Sequence, residues 1–205
     1  MPELRSKSQF QLTAGNLSLD FTNTVDNRGA ENEVDLLANY PDLLVWGLTA
    51  KILTQEDADH LFGLAEINPT QARAALRRAL QVREAIYAIF SAIAERRVVP
   101  GASLALLNAA VQHANQHARI IHANRAFVWE WITPESNLIS ILWPIARDAA
   151  ELLTAGPLEL VRECAAESCG WLFLDTTKNH RRRWCDMKTC GNRNKARRYY
   201  QRAQR

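Results

Sequence analysis

The sequence predicts a mainly α chain with a small β-sheet or hairpin, an α+β fold closed by a compact four-cysteine module that ends in a basic helix. Three observations predict it. Apolar residues recur at three- and four-residue steps across 69–97, the period of a helix with one buried face. A β-branched and aromatic run with Asn124-Arg125 at its middle interrupts the helical pattern at 118–132. All four cysteines, Cys164, Cys169, Cys185 and Cys190, fall within 27 residues.

The elements follow in order. Gln9 to Leu12 reads as a short strand. Asn16 or Ser18 caps a short helix through the Leu17–Val25 stretch. Asp26-Asn27-Arg28-Gly29 is a turn. Pro41 opens a helix to about Thr49 carrying Leu43, Leu44 and Trp46. Thr54, with Asp57 three residues later, starts a helix to about Ile67. Asn68-Pro69 begins the longest helix, to about Arg97, with Ala72, Ala75, Ala79, Ile86 and Phe90 on its apolar stripe. Pro100-Gly101 breaks the chain before a helix over Ser103–Gln116. A β-hairpin covers Ala118–Ile132, and an apolar-periodic helix covers Asn137–Leu153. Gly156-Pro157 ends that helix and marks a boundary between residues 1–157 and 158–205.

The bulk numbers fit a soluble globular protein: 205 residues, 47% apolar and 23% charged. The first twelve residues hold no signal-peptide core. The longest apolar stretch, Leu138–Ala146, is broken by Ser140 and Pro144. It falls far short of the roughly 20 residues of a membrane span. A cytoplasmic protein without membrane contact is expected. The net charge of +3 conceals a division. Residues 161–205 hold 12 Lys/Arg against 4 Asp/Glu, net +8, and the remainder is net −5. Two parts with different partners are implied, the basic part suited to a phosphate backbone.

The cysteines are spaced Cys164-x4-Cys169, fifteen residues, then Cys185-x4-Cys190. Two close pairs joined by a short loop bring four thiolates to one tetrahedral zinc, as in zinc-ribbon and treble-clef fingers. Four thiolates leave no coordination position for water, so such a zinc is structural. Disulfide pairing or a redox switch is the alternative use of clustered thiols. Trp171–Leu174 is a strand-like run, Asp175 begins a turn, and Gly191 lets the backbone turn beside the metal. Asn192 or Asn194 caps a terminal helix over Lys195–Gln204.

That helix and the loop before it are basic. Arg181, Arg182, Arg183, Lys188, Arg193, Lys195, Arg197, Arg198 and Arg202 are the expected phosphate contacts, with arginine forks also able to read guanine edges. A solvated charged surface is the plain alternative. DNA is preferred over RNA, although Trp184, Tyr199 and Tyr200 offer rings on which unpaired bases stack. A redox-sensing or protein-interaction module is the third reading.

In the larger part, Asp20, Asn23, Thr24 and Arg28 lie beside an apolar stretch and are the expected lining of a small-molecule effector pocket, with Trp46, Trp129, Trp131 and Trp143 as its floor. Capping and turn formation are the ordinary use of such polar types, and core packing of such aromatics. His113 and His117 stand four apart without the glutamate of a metalloprotease motif and read as surface residues. There is no Gly-rich phosphate loop, nucleophile elbow or paired-carboxylate pattern, so an enzyme is not expected.

Two resemblances join these features. Cys164-Ala-Ala-Glu-Ser-Cys169-Gly-Trp-Leu-Phe-Leu-Asp, with Arg181-Arg-Arg-Trp-Cys185-Asp-Met-Lys-Thr-Cys190-Gly-Asn-Arg, resembles the CGNR zinc finger, whose name is the tetrad at Cys190–Arg193. Leu19-Asp20-Phe21-Thr22-Asn23-Thr24, Tyr40-Pro41-Asp42-Leu43-Leu44 with Trp46, and Val82-Arg83-Glu84-Ala85-Ile86-Tyr87 resemble the ABATE domain that precedes this finger in bacteria. The resemblance implies four zinc-ligating cysteines and a stress-induced transcription regulator, with a sensing domain ahead of a DNA-binding finger. A homodimer would suit a two-fold DNA site.

Overall fold

The computed structural model describes residues 10–132 and 137–203, with residues 198–203 described by backbone alone. It is mainly helical, with three small antiparallel two-stranded sheets among the described residues. Helix α1 (Leu17–Thr22) starts on Asn16, whose Oδ1 accepts the Leu19 N–H at 3.1 Å. Strands β1 (Val25–Asp26) and β2 (Val34–Asp35) pair next. Helix α2 (Tyr40–Thr49) carries Pro41 in its first turn. Helix α3 (Gln55–Ile67) opens with the Thr54–Asp57 capping box.

Helix α4 (Pro69–Ala94) is the longest, and it buries Ala72, Ala75, Ala79, Ile86 and Phe90 as the periodicity requires. It stops three residues short of Arg97. Arg96 takes φ 57°, the Arg97 N–H reaches the Ala92 carbonyl at 2.7 Å, and the Arg96 N–H reaches that of Ile93 at 3.1 Å. This is a Schellman closure, formed without the usual glycine.

Helix α5 (Gly101–Asn115) leads into β3 (Ala118–Ala123) and β4 (Ala126–Trp131). Asn124 and Arg125 both have positive φ, 51° and 63°. That is the two-residue turn whose twist matches the flanking strands. Helix α6 (Leu142–Ala155) begins later than its apolar pattern, which starts at Asn137. Pro144 has no N–H, so it belongs in a first turn, where that donor has no partner to lose. The expected strand at Gln9–Leu12 is absent over residues 10–12, and Gln9 lies outside the described residues.

Beyond a 3-10 turn at Leu158–Leu160, β5 (Val161–Glu163) pairs with β6 (Leu172–Leu174). One turn of π-helix (Met187–Gly191) runs into α7 (Asn192–Ala203). The core is continuous across these elements. Phe21 and Trp46 meet with ring centroids 4.9 Å apart. Leu172 and Phe173 of β6 are fully buried in the same cluster as Leu19, Ile86 and Phe90. No helix among the described residues is long and apolar enough to cross a membrane.

Candidate metal centre and nucleic-acid interface

Two short turns build the cysteine cluster. Cys164 follows β5, and its N–H donates to the Trp171 carbonyl at 2.8 Å, extending the β5–β6 ladder by one rung. The chain then tightens so that the Cys169 N–H reaches the Ala166 carbonyl. Gly170 follows with φ +67°, and a Cβ there would stand 2.9 Å from Arg28 Cβ, so only glycine fits. The Ala165 N–H, bonded to the Arg183 carbonyl at 2.9 Å, draws the second pair against the first. The Cys185 N–H donates to Cys164 Sγ at 3.4 Å. Cys190 sits in the π-turn, which is capped by the Asp186 carboxylate through the Lys188 N–H, not by Asn192 or Asn194. Gly191 has no left-handed φ, and a Cβ there would first meet the far end of the Met187 side chain, whose Sδ lies 2.6 Å away.

All four Sγ atoms lie within 4.8 Å of one another and all four cysteines are buried. The Cys169–Cys185 and Cys185–Cys190 sulfurs are each 3.6 Å apart. A tetrahedron of thiolates at the usual zinc–sulfur length has edges of about 3.8 Å, so the donor set and spacing fit zinc. Among themselves the thiols cannot all ionise. Cys164 is pushed down by hydrogen bonds from Cys169 and Cys185, which are both pushed up by donating to it. A bound dication removes that conflict and holds the four as thiolates.

The basic loop is tied down by Asp175. Its buried carboxylate accepts from the Thr177 N–H and hydroxyl and from the Arg182 N–H. Burial opposes ionisation, but these donors outweigh it and hold the carboxyl below the usual range. Arg182 itself turns inward. Its guanidinium donates to the Trp184, Thr13 and Cys185 carbonyls and lies 4.4 Å from the Phe173 ring. It is a strut of the loop and not a phosphate contact.

Arg181, Arg183, Lys188, Arg193 and Lys195 are exposed, and Arg183 lies over the Trp184 ring at 5.3 Å. Arg197 is exposed and paired with Glu167 of the first cysteine turn. The side chains of Arg198, Arg202, Tyr199 and Tyr200 lie outside the described residues. A model of the CGNR zinc finger matches residues 161–203, and the ABATE model, described as "Putative stress-induced transcription regulator", matches residues 15–156.

The chain belongs to the ABATE family and ends in a CGNR zinc finger.

A search of curated proteins returns no match. In this ABATE protein Cys164, Cys169, Cys185 and Cys190 hold one structural zinc, which ties the two turns and the start of α7 into one unit. The polar residues expected to line an effector pocket are instead consumed by the fold. Asn23 behaves as a missing strand: its Nδ2 donates to the Leu172 carbonyl at 2.8 Å and its Oδ1 accepts the Leu172 N–H at 2.9 Å. Asp20 is buried and accepts the Ala14 N–H, and burial pushes its carboxyl up to about 6. Thr24 is buried between the Phe21 carbonyl and Arg83. Arg28 pairs with Glu84, stacks on Tyr87 at 3.9 Å, and gives its N–H to the Cys169 carbonyl.

Each of the four side chains thus has a partner inside the fold. Of the tryptophans, Trp46 and Trp143 are core, while Trp129 and Trp131 are not fully covered. His113 is exposed and His117 half-buried, and both contact Trp143. His117 stacks on Trp143 at 4.3 Å, and His113 Nδ1 accepts the Trp143 indole N–H at 3.0 Å. Partial burial, with His117 and Arg78 nearby, lowers the His113 pKa, in keeping with a neutral acceptor ring.

Proposed function

We propose that this ABATE protein is a non-catalytic transcription regulator whose zinc-ordered C-terminal element binds duplex DNA in the cytoplasm, under the control of an effector sensed by the helical part. The observation that carries the reading is the concentration of exposed cations on one small, metal-fixed unit: Arg181, Arg183, Lys188, Arg193 and Lys195. A helix of about 12 residues is marginal alone, and a buried metal site at its start supplies the anchoring it lacks. Each cation that neutralises a phosphate adds about 0.9 to the slope of log affinity against log salt. Trp184 is half-buried beneath Arg183, which favours DNA over an RNA mode built on exposed stacking rings. A second copy would let the element read a two-fold site.

Fluorescence anisotropy on a duplex selected from a random library tests the reading. The Arg193→Ala, Lys195→Ala double variant is expected to lower the salt slope by about 2. A salt-independent affinity, or stronger competition by structured RNA than by duplex DNA, would overturn it.

A further inference from the structure

A cleft of 370 Å³ opens between the α2–α3 turn, the hairpin and the start of α6. Trp129 and Trp131, two apart on β4, fall on the same face of the hairpin. They give the cleft two indole walls, backed by the buried Trp143, and the Trp131 and Trp143 centroids are 5.8 Å apart. Leu53 and Leu61 complete its apolar surface. The volume lies within the range of about 300–1,000 Å³ usual for small-molecule sites. Trp129 stays 49% exposed although the Arg147 guanidinium rests over its ring.

Among the described residues, the one carboxylate side chain facing the cleft is that of Asp57, beside His60, and no lysine or arginine lines it; Glu130, between Trp129 and Trp131 on β4, turns to the opposite face of the hairpin. Asp57 spends Oδ2 on Thr54, and Arg119 meets Glu130 across the strands. Beside the cleft, the Arg147 guanidinium rests 3.8 Å from the Trp129 ring centroid and is itself paired with Glu151. The chain thus already places one flat cation on this wall, and indole faces attract cations.

We infer that the tryptophan cleft is the effector site of the helical part and takes a planar aromatic cation. The inference deepens the sensing half of the proposed function and rests on that reading. Ring stacking on Trp129 and Trp131 supplies the affinity, and the Asp57 carboxylate selects the sign of charge.

Three matched probes test it on the zinc-loaded full chain without DNA, by titration calorimetry: 1-methylquinolinium, 1-methylnaphthalene and 1-naphthoate. The cation is expected to bind one site, several-fold tighter than the neutral isostere and at least about tenfold tighter than the anion, as expected for a desolvated cation–π contact beside a carboxylate. Trp129→Ala should weaken the cation at least fivefold, by roughly the value of one such contact. Asp57→Asn, which keeps an acceptor for the Thr54 N–H, should cut its preference over 1-methylnaphthalene. Circular dichroism and zinc content check that both variants fold. No saturable binding, equal binding of the three probes, preference for the anion, or an unchanged Trp129→Ala overturns the inference. Because DNA is absent, a failed DNA interaction leaves this result standing, and the reverse also holds.

Discussion

Glu167 and Arg197 face each other across the metal centre, an acid set against one of the cations that the proposed interface needs. Both are exposed, so the pair adds little to stability. It does hold Arg197 away from a phosphate. Glu167→Gln is expected to tighten duplex binding several-fold and to steepen its salt dependence; equal affinities at two salt concentrations would refute this. Asp20 is the second informative residue. Its carboxyl is pushed up to about 6 from 3.8 by burial. A raised folded-state pKa favours the protonated form, so the stability it provides is complete below 3.8 and is lost as pH rises through about 6. Asp20→Asn keeps an acceptor for the Ala14 N–H without the charge. Denaturant titrations at pH 4 and pH 8 should show it gaining on the order of 2–3 kcal/mol at the higher pH and nothing at the lower.

Two glycines make the elements of the metal centre, and they do so for different reasons. Gly170 combines a left-handed φ with the Arg28 Cβ behind it, and neither can relax, because Arg28 is fixed by Thr22, Glu84 and the Cys169 carbonyl. Gly191 meets the end of the Met187 side chain, which is 48% exposed and free to swing out. Gly170→Ala is therefore expected to cost about 1–3 kcal/mol and to weaken zinc retention against a colorimetric chelator. Gly191→Ala should cost clearly less. The reverse order would contradict the geometry assigned to the two turns.

At the scale of the whole molecule, the finger is not a pendant. Asn23 completes the edge of β6, the Trp171 indole N–H donates to the Val25 carbonyl at 2.9 Å, and Arg182 reaches back to Thr13. Leu172 and Phe173 belong to the same core as α1 and α4. Metal binding contributes on the order of 10 kcal/mol in zinc-finger peptides. If half of that supports this shared core, at about 2–4 °C per kcal/mol, chelation lowers the midpoint of the entire chain by at least about 10 °C. Calorimetry with and without chelator should show one transition moving. A helical transition that stays in place while a smaller one disappears would show that the two parts unfold separately.

The helices, the hairpin and the metal ligands were legible from the sequence, because each is dictated locally. Helical period, a two-residue turn such as Asn124-Arg125, a capping box such as Thr54–Asp57, and cysteine spacing all act over a few residues. The uses of Asn23, Asp20, Thr24, Arg28 and Arg182 were not. A polar side chain beside an apolar stretch looks the same whether it faces a ligand or a distant backbone, and Asn23 bonds a residue 149 positions away. The tryptophan cleft likewise exists only where β4 and α6 come together. Local pattern decides what a segment becomes; which buried donors and acceptors are left to satisfy one another is decided by packing.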